Sequence, residues 1–572
     1  MDDSDSPTVH IVSSAPKRVF TEAVSCGALY RYAEIDPVIV QPLAYHVDRR
    51  KSVDVLKSFL AKKDQKIEEE CAWIKKNKVD CVLSDAAFLA CKAANAAGIP
   101  SVLITNFTFD SVYSYLSIKF PKQSSSPLSS NSLSCPRLNL DSLLENEDEP
   151  IPPEELEPLV NELHEGYRCA ELLILLPGNI PIPSFGVQPS LPSYLWADPE
   201  RNTFHEEITS TLTLAFSTTS AAASTPLHPP IRFPISVNNQ KALPRKIIQS
   251  PLIVRRPSKD AYTSEGRKRI LDRVGIPTSL QGEDMKILVV SFGGQVFRKP
   301  SSRTPSRNGY SPREVERTSS AESARSTASR RSADSQTSKC SKESFVHVKA
   351  PVASLEHLWV PGAPPASKQP LSDRPANVGT DSEESEIESE SEFESEPQFL
   401  PDDSWIVIVC GATGDPKATR SDSTDSTGST GSSDAVGDVL LGKLGYGTTA
   451  ECVDSATPLV YVPRPLFVEE HGLRVLIEGA GVGVEMPRGV YEGGMWRDYV
   501  REAWERGREG KVRRRVRGLR EDMGESRSEE AEAIVRGLVE WVREWKRVDV
   551  DLALQRPRGG RQREVEHERV DG

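Results

Sequence analysis

The run VDCVLSDAAFLACKAANAAGIPSVLITNFTF, from Val79 to Phe109, constrains the fold more than any other stretch of the 572 residues. A short apolar run gives way to an Ala-rich stretch, Gly98 stands where a helix stops, and a second apolar run follows. That is the order strand, helix, strand. A connection of this length suits a parallel pair, and strands covered on both faces read as unbroken apolar runs. The N-terminal region is therefore expected to be a doubly wound α/β sheet. EELEPLVNELHEGYRCAELLILLPG, from Glu154 onward, reads as a helix feeding another strand.

The same order returns at Lys286 with KILVVSFGG, resumes at Trp405 with WIVIVCGATG, and continues through DAVGDVLLGKLGYGTTAECVDSATPLVYVPRP. These are strands ending in Gly-rich turns. The expected fold is α/β, with two Rossmann-type domains facing a crevice. The first covers residues 8–246, and the second covers 247–297 and 404–495. Between the two parts of the second lies 298–403, whose Ser, Arg and Glu content cannot bury enough apolar surface to offset the entropy of ordering; it is expected to be disordered. Residues 298–350 carry 12 basic and 5 acidic side chains and 381–403 carry 11 acidic and none basic, so the halves attract, and phosphorylation would alter that balance. An expanded, solvated loop is the simpler reading. Residues 496–548 carry Trp496, Val500, Ala503 and Trp504, then Ile534, Leu538, Trp541, Val542 and Trp545, at helical spacing. These read as amphipathic helices packed on a sheet, with 549–572 as a disordered tail.

Composition removes several function classes. A net charge of −12 argues against a general nucleic-acid binder. Nine cysteines without a CxxC pair are too sparse for a disulfide scaffold or structural zinc site. MDDSDSP lacks the parts of a signal peptide, and no apolar run reaches membrane-spanning length; the expected compartment is the cytoplasm.

Chemistry concentrates in LGKLGYGTTAE, where Gly442, Gly445 and Gly447 precede Thr448 at a helix start and Glu451 sits one turn on. Glycines let a backbone approach a phosphate, and a helix start offers unpaired N–H groups and positive dipole character. A carboxylate on the first turn can accept two ribose hydroxyls, as acidic residues do in dinucleotide folds. Thr448 as a cap with Glu451 as a first-turn acid explains the same letters equally well. Gly293 and Gly294 in FGG, and Gly411 in CGATG, also follow strands, so the Gly-bearing turns suggest one crevice beyond the carboxyl ends. Glu469 and Glu470 in FVEEHGLRVL could hold sugar hydroxyls or simply start a helix, and His471 reads better as structural than as a base. Asp85, after the strand VDCVLS, could hold a polar ligand from the opposite domain or cap a helix.

Several blocks in order carry a family likeness: VHIVSSAPKRVF, VDCVLSDAAFLACKAANAAGIPSVLITNFTFD, LILLPGNIPIPSF, SPLIVRR, ILVVSFGGQ, IVCGATGD, LLGKLGYGTTAE and FVEEHGLRVL. With these the chain resembles the N-terminal half of plant-type L-arabinokinases, a region similar to glycosyltransferases of the GT-B fold. Gly445, Thr448 and Glu451 are similar to the GxxTxxE nucleotide-sugar signature of such transferases. The resemblance implies that the glycines and helix start face a diphosphate, that Glu451 holds the ribose, and that Glu469 or Glu470 contacts the donor sugar. Three departures stand out. The family's opening strand and its GHGFGHA loop have no counterpart, so a gap is expected in the first sheet, with a lost upstream segment as the favoured cause and no nameable catalytic base. No GHMP-type kinase domain follows, so sugar kinase activity is not expected. The 298–403 insertion replaces a short connection.

The expected function is binding of a nucleotide sugar, UDP-linked by resemblance, with transfer of the sugar to an acceptor held near Asp85. Neither metal nor cofactor is required, because the helix dipole and backbone N–H groups stabilise the leaving diphosphate. The alternatives are a binding or regulatory module that has lost the chemistry, and a phosphoregulated interaction protein whose α/β body is a scaffold.

Overall fold

The computed structural model describes residues 7–121, 149–186, 192–217, 245–254, 262–292, 347–349, 398–410, 437–520 and 523–555. The strands in chain order are β1 (His10–Ser13), β2 (Leu29–Tyr32), β3 (Val82–Ser84), β4 (Ser101–Thr105), β5 (Leu172–Leu175), β6 (Ala197–Asp198), β7 (Thr203–Phe204) and β8 (Lys246–Gln249) in the first half, with β6 and β7 forming a short hairpin. The second half contributes β9 (Lys286–Ser291), β10 (His347–Lys349), β11 (Trp405–Val409), β12 (Val439–Gly442), β13 (Leu459–Tyr461) and β14 (Gly483–Glu485).

The expected strand, helix, strand unit is present. β3 leads into the helix Phe88–Ala97, Gly98 closes it at φ 78° in the left-handed region, and β4 runs parallel to β3. β5 and β8 continue the sheet in parallel, giving the order β3, β4, β5, β8. The alternation along each strand shows how both faces are covered. Leu103, Leu173 and Leu175 enter a core with Leu156, Val160, Leu163 and Tyr167 of the helix Pro153–Tyr167. Val102, Leu172 and Ile174 point the other way, onto Ile534, Leu538 and Trp541 of the helix Met523–Gln555. The C-terminal helix thus returns to cover the first sheet, as its amphipathic stripe requires.

β1 and β2 form a separate parallel pair. They are moored to the layer of helices rather than to the larger sheet: His10 packs edge-on against Trp73 at 5.3 Å, and the Arg31 guanidinium lies 4.6 Å from the same ring. Among the described residues no strand joins β1 to β3.

The second domain is a six-stranded sheet in the order β10, β11, β9, β12, β13, β14, parallel except at β10. Its strands are apolar on both sides. Leu288, Val290, Val407, Val409 and Leu441 face Trp496, Val500 and Ala503, while Ile287, Val289, Ile406, Ile408 and Leu440 face Leu473, Leu476 and Ile477. The chain passes from β9 to β11 on one side and then to β12 on the other, so the strand order reverses between β9 and β12.

Three boundaries differ from the sequence reading. β8 pairs with β5 and Ser250 N–H bonds to the Leu175 carbonyl, so the first domain runs past 246. Within 298–403, expected to be without order, His347–Lys349 adds an antiparallel edge strand to β11, and Phe399 and Leu400 are buried in the second core. The final helix extends to Gln555, beyond the expected start of the tail at 549. Residues 298–346, 350–397 and 556–572 lie outside the described residues. No described helix is long and apolar enough to cross a membrane.

Candidate functional site

In an open α/β sheet the place where strand order reverses leaves a crevice beyond the carboxyl ends of two neighbouring strands. Here those strands are β9 and β12. They approach so closely that a Cβ at Gly442 would lie 2.1 Å from the Ser291 carbonyl oxygen, so this glycine is required by packing. Three residues later Gly445 takes the N-cap position of the helix Tyr446–Ser455, with no side chain capping it and no acid in the first turn. A Cβ added at Gly445 or Gly447 would meet nothing within 4 Å. Among the described residues, the side-chain positions of both glycines at this helix start are therefore open. Thr448 does not cap the helix, which removes the capping account of the motif. Gly293, Gly294 and Gly411, assigned to the same crevice from sequence, lie outside the described residues.

Glu451 is half-buried one turn along this helix, and its carboxylate has no hydrogen-bond or ion partner among the described residues. Glu469 and Glu470 begin the helix Glu469–Ala480 and part company there. Glu470 is buried, accepting from the Arg464 backbone N–H at 3.0 Å, from Arg464 Nε at 3.1 Å and from the Arg474 guanidinium at 3.1 Å. Its carboxylate is committed to holding the loop after β13, which withdraws it as a sugar ligand. Glu469 keeps one 3.3 Å contact to Arg464 and acts electrostatically on Asp85 of the other domain.

Asp85 follows β3, and the next residue, Ala86, is left-handed at φ 58° with its carbonyl accepting from the Tyr167 hydroxyl at 2.6 Å. The Asp85 side chain is accessible to water yet enclosed by protein. Accessibility decides what can reach it, and enclosure decides its titration: desolvation, then the negative charge of Glu469, push its pKa up to about 6. Burial, with a smaller push from Asp85, raises the pKa of Tyr446 at the start of the glycine helix. Asp36, after β2, is pushed up to about 7 by desolvation and by Asp85, and its Oδ1 is buried without a hydrogen-bond partner. The sequence reading missed Asp36; its only signal was a carboxylate, two residues after Glu34, leading into the apolar run PVIV.

His471 is a plug between domains. It is buried, its Nε2 lies 2.9 Å from the Tyr115 hydroxyl, its ring sits 4.5 Å from that of Phe204, and burial pushes its pKa down to about 3. It stays neutral and is enclosed. Beside it, a Cβ at Gly472 would lie 2.5 Å from the Gly178 carbonyl, so this helix is seated directly on the first domain.

Lys443, between β12 and the glycine helix, was also missed. Burial, followed by the charge of Arg464, lowers its pKa to about 8, opposed by Glu469 and Glu470. Among the described residues no group of three His, Cys, Asp or Glu is arranged to hold a metal ion.

No protein-family profile matches the chain. It is similar to L-arabinokinase of Arabidopsis thaliana, 23% identical over 497 residues, which is 86% of this chain and 29% of that protein. The chain thus spans less than a third of the relative it matches. Among solved structures, it aligns with Glycyrrhiza uralensis UGT73P12 complexed with glycyrrhetinic acid 3-O-monoglucuronide at 12% identity and a TM-score of 0.35, over 96% of this chain and 92% of that one. It also aligns with Phytolacca americana UGT2 complexed with UDP-2fluoro-glucose and pterostilbene at 12% identity and a TM-score of 0.32, over 92% and 93%.

Proposed function

We propose that this chain is a GT-B-type protein that binds a nucleoside-diphosphate sugar, UDP-linked, in the crevice at β9 and β12, and transfers the sugar to a hydroxyl-bearing acceptor on the Asp85 side. The observation that carries the reading is the uncapped, glycine-lined start of the helix Tyr446–Ser455 at the point where strand order reverses. The sequence likeness to L-arabinokinase, and the UDP-sugar analogue held by the Phytolacca americana protein, agree with it.

In this reading the diphosphate lies over Gly445, Gly447 and Thr448, where N–H donors and the helix dipole stabilise the charge that grows as the leaving group departs. Glu451, one turn on, accepts the ribose hydroxyls, and Glu469 faces the sugar. Gly293, Gly294 and Gly411, which the sequence assigns to the same cradle, lie outside the described residues. Asp85, poised near neutrality on the opposite wall, takes the proton of the acceptor hydroxyl.

Binding without turnover is the second reading. The free edge of β3, the strand that leads to Asp85, favours it: among the described residues β3 pairs only with β4. Calorimetric titration with UDP and several UDP-sugars, with Glu451→Ala as control, tests the shared step: binding lost in the variant is expected, and absence of binding in the folded wild-type chain would overturn both. UDP release from a donor and acceptor panel then separates them.

A further inference from the structure

The two domains exchange short apolar segments, and the two halves of the exchange are built differently. The loop after β2 is closed at its neck, where the Asp48 N–H bonds to the Val40 carbonyl at 3.0 Å and the Val40 N–H bonds to Ser52 Oγ at 2.9 Å. Ile39 and Val47, at the neck, belong to the first core with Leu56 and Phe59. Leu43, Ala44 and Tyr45, at the tip, are buried in the second core with Phe292 and Tyr491. One loop thus has its base in one domain and its tip in the other. In return Leu466, Phe467 and Val468, just before Glu469, enter the first core. On that side the contact reaches the backbone: a Cβ at Gly472 would lie 2.5 Å from the Gly178 carbonyl oxygen and 2.6 Å from that of Asn179. The tip of the loop is anchored through side chains instead. The Tyr45 hydroxyl donates to Glu492 at 2.9 Å, and the Arg488 guanidinium, itself 2.9 Å from Glu492, lies 5.0 Å from the Tyr45 ring. The rings of Tyr491 and Phe292 stand 5.8 and 6.4 Å away. Among the described residues no backbone hydrogen bond joins residues 41–46 to the second domain.

We propose that residues 41–46 are a latch: Tyr45 holds the crevice closed at the carboxyl end of β9, and the crevice opens when this tip leaves the second core. The helix Glu469–Ala480 stays seated and serves as the fulcrum. Phe292 directly follows β9, one of the two strands that border the crevice, so the latch rests on the crevice wall itself. Its neck bonds lie wholly within the first domain, so the tip can withdraw without loosening the first core or unpairing a strand of either sheet. What it gives up is one hydrogen bond and a set of ring contacts, which an aqueous exit replaces in part. The fulcrum side has no such freedom, because two backbones in contact leave no side chain between them to rearrange. A hinge on one side and a side-chain anchor on the other is the division of labour that domain opening requires. The inference concerns the crevice whatever it binds, and it stands apart from the nucleotide-sugar reading.

A latch differs from ordinary core in opening below the free energy of global unfolding. The experiment is native-state hydrogen exchange of the full chain at low, increasing urea, for wild type, Tyr45→Phe, Glu492→Ala and the double variant. Tyr45→Phe keeps the ring and removes only the hydroxyl, so the fold is preserved. We expect amides of residues 43–46 to exchange about 10-fold faster in Tyr45→Phe, with little dependence on urea, while those of β4, β12 and residues 466–472 keep their wild-type protection. Glu492→Ala should act alike, and the double variant should exchange no faster than either single one, because both remove the same bond. Small-angle scattering should give Tyr45→Ala a larger radius of gyration than wild type, the sign of opened domains. Residues 43–46 that exchange only with global unfolding, at the protection and urea dependence of β12, would overturn the proposal. So would variants that speed every site alike, or a released loop with the radius of gyration unchanged.

Discussion

Asp36→Asn is expected to stabilise the protein, and increasingly so as pH rises. In the fold the Asp36 carboxyl holds its proton up to about pH 7, against an ordinary value of 3.8. The folded state therefore binds more protons than the unfolded chain between those values, and stability falls as pH climbs through that window. The favourable contribution is fully present below about pH 4 and gone above about pH 7. A difference of about 3 units corresponds to roughly 4 kcal/mol at about 1.4 kcal/mol per unit. Water reaching the half-buried side chain reduces the realised effect to roughly 2 kcal/mol. Asn copies the neutral form in shape, and because Oδ1 has no hydrogen-bond partner, no existing bond is broken there. Thermal melts at about pH 4.5 and about pH 8 should show nearly equal proteins at the lower value. At the higher one the variant should melt roughly 4–8 °C above wild type. A gap that does not change with pH, or a variant less stable at pH 8, would refute the claim that desolvation and the nearby Asp85 charge keep this carboxyl protonated.

Two glycines in one motif should separate folding from binding. Gly442→Ala places a methyl 2.1 Å from the Ser291 carbonyl and should lower the melting temperature sharply, whereas Gly445→Ala meets nothing within 4 Å and should melt like wild type while losing more than ~10-fold in UDP affinity. Glu470→Ala strands Arg464 in the interior and should cost about 3–5 kcal/mol in urea unfolding, far more than Glu469→Ala. For His471 the folded pKa is depressed to about 3, so its contribution is present above about pH 6.5 and lost as pH falls; His471→Gln should move the acid-unfolding midpoint downward, and an unchanged midpoint would count against a buried neutral imidazole.

Local chemistry settled a good deal of this protein before any contact was known. The Ala-rich stretch ending at Gly98 could only be a helix between strands, because Gly98 tolerates the left-handed backbone that stops it. The doubly apolar runs of β9, β11 and β12 called for a covered parallel sheet, and the tryptophan stripes called for packed helices. These follow from periodicity and backbone preference, which are short-range properties of the chain. What the letters left open were choices between neighbours of like chemistry. Glu469 and Glu470 are adjacent acids, and only the folded positions of Arg464 and Arg474 commit Glu470 to a buried ion-pair network and leave Glu469 with one longer contact, within the field of Asp85. Gly442 and Gly445 share a motif, yet one is packed against Ser291 and the other borders open space. Asp36 and Asp85 stand 49 residues apart in the sequence and come within each other's field only in the folded chain. Desolvation and charge act through space, so the titration of these groups was decided by the tertiary structure alone.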